Sequence, residues 1–133
     1  MTAISLGNQA GRGNAPTGGR VLIISEMLYQ ARGLQRLLEE MGREATLATS
    51  EDVGLAYLSL SHYDTVVIDV DMGYRAVDDL ATRLRRDHPG SEVAILVGWW
   101  DARAVDMRPY CDTLICKPVD PRQIREALER RAG

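Results

Sequence analysis

The feature that most limits the fold is an alternation. Short runs rich in apolar residues, "VLIIS" (21–25), "EATLA" (44–48), "TVVIDV" (65–70), "EVAILVG" (92–98) and "TLIC" (113–116), are separated by longer segments whose apolar residues recur at helical spacing. Runs that are apolar on nearly every residue suit strands covered on both faces, as in parallel sheets. From Met27 to Met41, Leu34, Leu37, Leu38 and Met41 mark one helical stripe that Gly42 ends, which predicts the first helix. Ser50 is an N-cap for "EDVGLAYLSL", where Val53, Ala56, Tyr57 and Leu60 share one helical face, read as the inner one. The third helix is predicted over Ala76 to Arg86, with Val77, Leu80 and Leu84 inward and "HPG" stopping it. "WWDARAVDMRP" has room for at most about two turns before Pro109, so the fourth helix is expected to be short or irregular. Asp120 as N-cap, Pro121 at the first helical position and Gln123 as capping-box partner open the last helix, with Ile124 and Leu128 inward.

Five strands alternating with five helices predict an α/β, doubly wound, five-stranded parallel sheet with right-handed crossovers. In the strand order 2-1-3-4-5 the carboxyl ends of strands 1 and 3 meet at the topological switch point, where such folds bind ligands. Residues 1–19, rich in Gly, Asn, Thr and Ala, are expected to be a flexible tail ahead of a domain over 20–133. With 133 residues, 45% of them hydrophobic, one core is expected.

The predicted topology gathers chemistry at one sheet edge. Ser25 and Glu26 leave strand 1 there, Asp69 and Asp71 leave strand 3, and Lys117, the single lysine beside fifteen arginines, leaves strand 5. A compact ammonium among arginines marks a place that a forked guanidinium does not serve. Each residue alone reads most simply as a turn cap or a strand-end charge. Together they suit phosphoryl acceptance: a carboxylate oxygen attacks phosphorus to give an acyl phosphate, the lysine neutralises phosphoryl oxygens, and Mg²⁺ is shared by the acids.

Composition removes other classes. A net charge of −3 and a pI of 5.4 give no field for nucleic acid, although Arg83, Arg85 and Arg86 form a local basic group. No apolar stretch approaches membrane-spanning length and the start lacks signal-peptide character, so a cytoplasmic location is expected. Cys111 and Cys116 make no disulfide or zinc pattern and read as buried thiols. A flavin or nucleotide enzyme is disfavoured, because "SEMLYQ" after strand 1 has no glycines to cradle a phosphate and "GNQAGRGN" precedes that strand.

From Val21 onward the chain resembles the receiver domain of two-component response regulators, carried by "VLIISE", "VVIDVDM", "GLQRLLEEMG" and "LICKP" with the following "VDP". The resemblance implies a flavodoxin-like receiver fold and a non-enzymatic signalling module. It implies Asp69 as phosphoacceptor from a histidine kinase or phosphotransfer protein, Mg²⁺ held by Glu26, Asp69 and the backbone of Asp71, Lys117 on the phosphate, and a cis Lys117–Pro118 bond. The chain departs from the family pattern at several positions. Ser25 stands in place of the first acid, Val97 in place of the hydroxyl residue ending strand 4, and Leu114 in place of the coupled aromatic. Gly73 and Val77 stand where proline and glycine are usual. The expected function is thus an atypical single-domain receiver with non-standard switching, and the alternative is a pseudo-receiver that binds protein partners without phosphorylation. Candidate partner surfaces, for a downstream protein or a homodimer, are Trp99 and Trp100 after strand 4, Tyr110, and the arginines of the last helix, Arg122, Arg125, Arg130 and Arg131.

Overall fold

A computed structural model of the chain describes residues 19–98 and 104–132. The expected tail, Gly19 apart, lies outside the described residues, as do Trp99 and Trp100. Strands β1 (Arg20–Ile24), β2 (Glu44–Ala48), β3 (Thr65–Asp69), β4 (Glu92–Gly98) and β5 (Thr113–Lys117) form one parallel sheet in the order β2-β1-β3-β4-β5. The connecting helices are α1 (Leu28–Glu40), α2 (Glu51–Leu60), α3 (Tyr74–Asp87) and α4 (Pro121–Ala132). The predicted fold class is the observed one.

Strand alternation divides the core. Odd-numbered Val21, Ile23, Val67 and Ile115, with Ala94 and Leu96 of β4, meet Ala31, Leu34 and Leu38 of α1 and Ile124 and Leu128 of α4. The other pleat, Leu22, Ile24, Val66, Ile68, Val93, Ile95 and Val97, meets Leu58 of α2 and Val77, Leu80, Ala81 and Leu84 of α3. Both faces are covered, which is why the central strands read as unbroken apolar runs.

The N-caps of α2 and α4 follow the predicted chemistry, but among the described residues no bond from Gln123 closes the predicted capping box. Ser50 Oγ accepts from Val53 N at 3.2 Å, and Asp120 Oδ1 accepts from Arg122 N at 2.8 Å. In the fourth helical position the described residues form a 3-10 helix, Ala104–Tyr110, that runs through Pro109. A 3-10 turn, Val70–Met72, separates β3 from α3.

Two readings need correction. On α2, Val53, Ala56, Tyr57 and Leu60 are exposed, Leu60 at 80%, and the buried residues are Gly54 and Leu58. Gly54 is the cause: a Cβ built there would lie 2.6 Å from Ile24 Cδ1, so the helix can approach β1 only through its glycine face. The cysteines are not a buried pair either. Cys111 is half-buried and Cys116 is exposed. Cys116 is on edge strand β5 with the parity of Leu114, on the side where, among the described residues, the 3-10 helix packs against this strand.

Candidate functional site

The pleat that carries Ile23, Val67 and Ile115 into the α1/α4 core continues, two residues on in each strand or just past its end, to Ser25, Asp69 and Lys117. These three side chains therefore leave three strands on one face at one edge. Asp69 is 1% exposed and fully partnered: Oδ2 accepts from Ser25 Oγ at 2.9 Å, and Oδ1 accepts from Asp71 N at 3.0 Å and from Lys117 Nζ at 2.8 Å. Such charge-assisted bonds are what a buried carboxylate needs to remain ionised. Ser25 Oγ also accepts from Met27 N at 3.1 Å, which fixes the turn into α1.

Lys117 does more than neutralise Asp69. Its Nζ also donates to Asp71 Oδ2 at 2.8 Å, so one ammonium ties together two carboxylates, the first buried and the second 44% exposed. Burial lowers the affinity of Lys117 for its proton, and the hydrogen bonds and charges of Asp69 and Asp71 outweigh this, leaving its pKa above the ordinary lysine value. The sequence places Lys117 and Asp69 at one sheet edge, with the lysine expected on a phosphoryl oxygen; the structure pairs it directly with Asp69. Neither the bridge from Lys117 to Asp71 nor the hydrogen bond from Ser25 to Asp69 is legible in the sequence, where Ser25 registers only as the loss of an acid.

Glu26 is exposed, and among the described residues no three His, Cys, Asp or Glu side chains are gathered for a metal ion. The expected set of Glu26, Asp69 and Asp71 is thus not brought together. What remains is a pair of hard carboxylate ligands, Asp69 and Asp71. That pair suits Mg²⁺, which accepts one or two carboxylates and fills its octahedron with water. In the structure both carboxylates are held by Lys117, so Asp69 and Asp71 are the residues that would hold such an ion, and it would supply positive charge beside the ammonium.

Val97 is fully buried on the opposite pleat with Val93 and Ile95. This corrects the assignment of Val97 to the position of the family's hydroxyl residue: the β4 residue in register with Lys117 is Gly98, which has no hydroxyl to offer a phosphoryl oxygen. Leu114 is half-buried against the α3-side core, as is Tyr110. Arg122 and Arg125 are exposed on α4. Gly73 has φ +101°, a conformation closed to proline, so the loop after Asp69 takes a path that the usual proline would forbid. The Lys117–Pro118 bond is cis.

A family model described as response regulator receiver domain matches residues 21–129. The fold is also that of solved receiver structures. A response regulator receiver domain protein from Clostridium thermocellum is 24% identical, with a TM-score of 0.72 over 85% of this chain and 96% of that one. The chemotaxis response regulator CheY4 of Vibrio cholerae is 17% identical, with a TM-score of 0.74 over 86% of this chain and 98% of that one. The signal receiver domain of a signal transduction histidine kinase from Syntrophus aciditrophicus is 25% identical, with a TM-score of 0.73 over 84% and 88%. No curated protein matches the chain.

Proposed function

The chain belongs to the response regulator receiver family, and on that premise we propose that it accepts a phosphoryl group on Asp69 from a histidine kinase or phosphotransfer protein. The observation that carries the proposal is the ammonium of Lys117 at 2.8 Å from a carboxylate that is 1% exposed, at the carboxyl edge of a doubly wound sheet. A carboxylate oxygen of Asp69 attacks phosphorus, an O–P bond forms and the N–P bond to the donor imidazole breaks. The ring nitrogen keeps the electron pair and takes a proton. Lys117 releases Asp71 and follows the phosphoryl oxygens, whose negative charge it meets without crossing the site. Ser25 and the Asp71 N–H hold the carboxylate in place meanwhile. Mg²⁺, with Asp69 and Asp71 as its protein ligands, would supply further positive charge opposite the transferring group.

Signalling onward takes a non-standard route in this proposal, because Val97, Gly98 and Leu114 provide neither hydroxyl nor mobile aromatic ring. Release of Asp71 by Lys117 is the movement available instead, and it reaches the Gly73 turn and the start of α3. The downstream target is a protein, met through exposed α4 residues such as Arg122 and Arg125. Receiver domains in general are signalling modules rather than enzymes, and this reading keeps to that.

The phosphorylation-independent alternative draws on one observation: the chain's own groups already partner both oxygens of Asp69. Incubation with radiolabelled acetyl phosphate and Mg²⁺, comparing the wild type with Asp69→Asn, separates the two. Label on the wild type alone, lost in mild base as an acyl phosphate is, supports acceptance. Equal labelling of both proteins, or of neither, overturns it in favour of the interaction module.

A further inference from the structure

The outer face of α2 lacks the charges that usually solvate a helix. From Val53 to Ser61 the chain has no charged residue, whereas the exposed faces of α1 and α3 carry Arg32, Arg36 and Glu40, and Arg75, Asp79 and Arg83. In their place α2 presents Val53, Ala56, Tyr57 and Leu60 at the i, i+3, i+4 and i+7 positions of one stripe. All four are exposed, Leu60 at 80%. Because α2 is seated through Gly54 and Leu58, the core has no use for them. A continuous apolar strip of this kind marks an interaction surface.

The stripe is complementary to itself. When two copies of α2 lie antiparallel about a two-fold axis passing midway between Ala56 and Tyr57, positions equally far from that midpoint share a layer. Val53 then lies in one layer with Leu60 of the second copy. Ala56 lies in one with Tyr57 of the second copy, so a small side chain leaves room beside the bulkiest. Charge sets the direction. The first turn of α2 carries Glu51 and Asp52 and its last turn no basic residue, so a parallel pair would bring the acids of both copies together. In the antiparallel pair each acidic turn approaches the other helix's C-terminal end, where His62 is exposed and Arg20 Nη1 donates to the His62 carbonyl at 3.2 Å. Glu44 and Asp64 share that corner, 3.3 Å from Arg20 Nε and 3.4 Å from His62 Nε2, so avoidance of the acidic ends, more than attraction, fixes the orientation. A partner of another sequence would have to supply both the small–large alternation and an end free of excess acid. A second copy brings both.

We propose that two copies of this chain associate through their α2 stripes, antiparallel, with Val53 of each against Leu60 of the other. Area sets the strength: the two stripes and their flanks remove about 700–1,000 Å² from water, below the roughly 1,200 Å² at which stable interfaces begin, so the pair is weak and transient. The pairing goes beyond phosphoryl acceptance and is independent of it, since α2 contributes no residue to the cluster around Asp69.

Sedimentation equilibrium of the full chain from about 10 µM to about 1 mM, without Mg²⁺ or phosphodonor, is expected to show a monomer–dimer equilibrium with a Kd of about 30–300 µM. Val53→Lys and Leu60→Glu, each checked for an unchanged far-ultraviolet circular dichroism spectrum, bury an unpaired charge in the interface and should each weaken the dimer by about tenfold or more. In the variant carrying both substitutions, every introduced ammonium meets an introduced carboxylate of the other copy, and the dimer should return to within about threefold of the wild type. Parallel pairing would set like charges opposite each other and leave that variant monomeric. A monomer at every concentration, or a dimer that neither single substitution weakens, overturns the proposal. A double variant that stays monomeric refutes the antiparallel register.

Discussion

Replacing Lys117 with methionine tests the electrostatics on which the site depends. The substitution keeps most of the apolar stem and removes the ammonium that Asp69 and Asp71 share. Its bond to half-exposed Asp71 is close to a surface ion pair, worth at most about 1 kcal/mol. Its bond to Asp69 is another matter, because stripping a buried carboxylate of its counter-charge costs about 3–5 kcal/mol. Ser25 Oγ and Asp71 N continue to donate and reduce that figure. A ceiling also applies, since a stranded carboxylate can shed its charge by taking up a proton. For an ordinary aspartate this costs about 4 kcal/mol at pH 7 but only about 1.5 kcal/mol at pH 5. Lys117→Met is therefore expected to lose about 2–4 kcal/mol at pH 7 and no more than about 2.5 kcal/mol at pH 5.

Urea unfolding followed by circular dichroism at both pH values gives the two losses directly, and repeating it in an Asp69→Asn background completes a double-mutant cycle. In that background the lysine no longer compensates a buried charge, and its removal should cost less than about 1 kcal/mol. A loss as large at pH 5 as at pH 7, or the same loss in both backgrounds, would show that Lys117 acts through packing of its stem and not as a counter-ion.

The raised pKa of Lys117 has its own pH signature: the stability it contributes is complete below the ordinary lysine value of about 10.4 and is lost as pH rises through the higher folded value. The gap in urea midpoint between wild type and Lys117→Met should accordingly close on the alkaline side of about pH 10.4, and a constant gap to pH 12 would contradict the assignment. Ser25→Asp brings a third carboxylate to the edge in place of a hydroxyl now 2.9 Å from Asp69. Without metal it should lower stability by about 1–3 kcal/mol, and Mg²⁺ should raise its melting temperature more than that of the wild type; equal shifts would mean that Asp69 and Asp71 already suffice. Gly54→Ala gains about 1 kcal/mol of helix propensity yet forces a Cβ to 2.6 Å from Ile24 Cδ1, so a net loss of about 1–3 kcal/mol in urea unfolding is expected, and a more stable variant would disprove the close approach.

The layers of the fold were legible because both periodicities were clean. The apolar runs of β1, β3 and β4 and the Leu34/Leu38 and Val77/Leu80/Leu84 stripes each allow a single placement once the crossover hand is fixed. The orientation of α2 was not legible. Its sequence carries apolar residues on two faces, and what chooses between them is contact of a glycine with Ile24, which no hydropathy pattern records. At the site, the charged residues announced themselves by type and by strand-end position, while their pairing did not. Whether Lys117 bridges to Asp71, and whether Glu26 turns in or out, depends on the path of loops only a few residues long.

The seating of α2 through Gly54 and Leu58 has a consequence for how such a chain can change over generations. Because the helix is fastened by its narrow side, Val53, Tyr57 and Leu60 are excused from building the core. A chain can exchange these three for almost any other side chains with little harm to its folding, so this strip is free to diverge between related proteins while everything beneath it stays as it is.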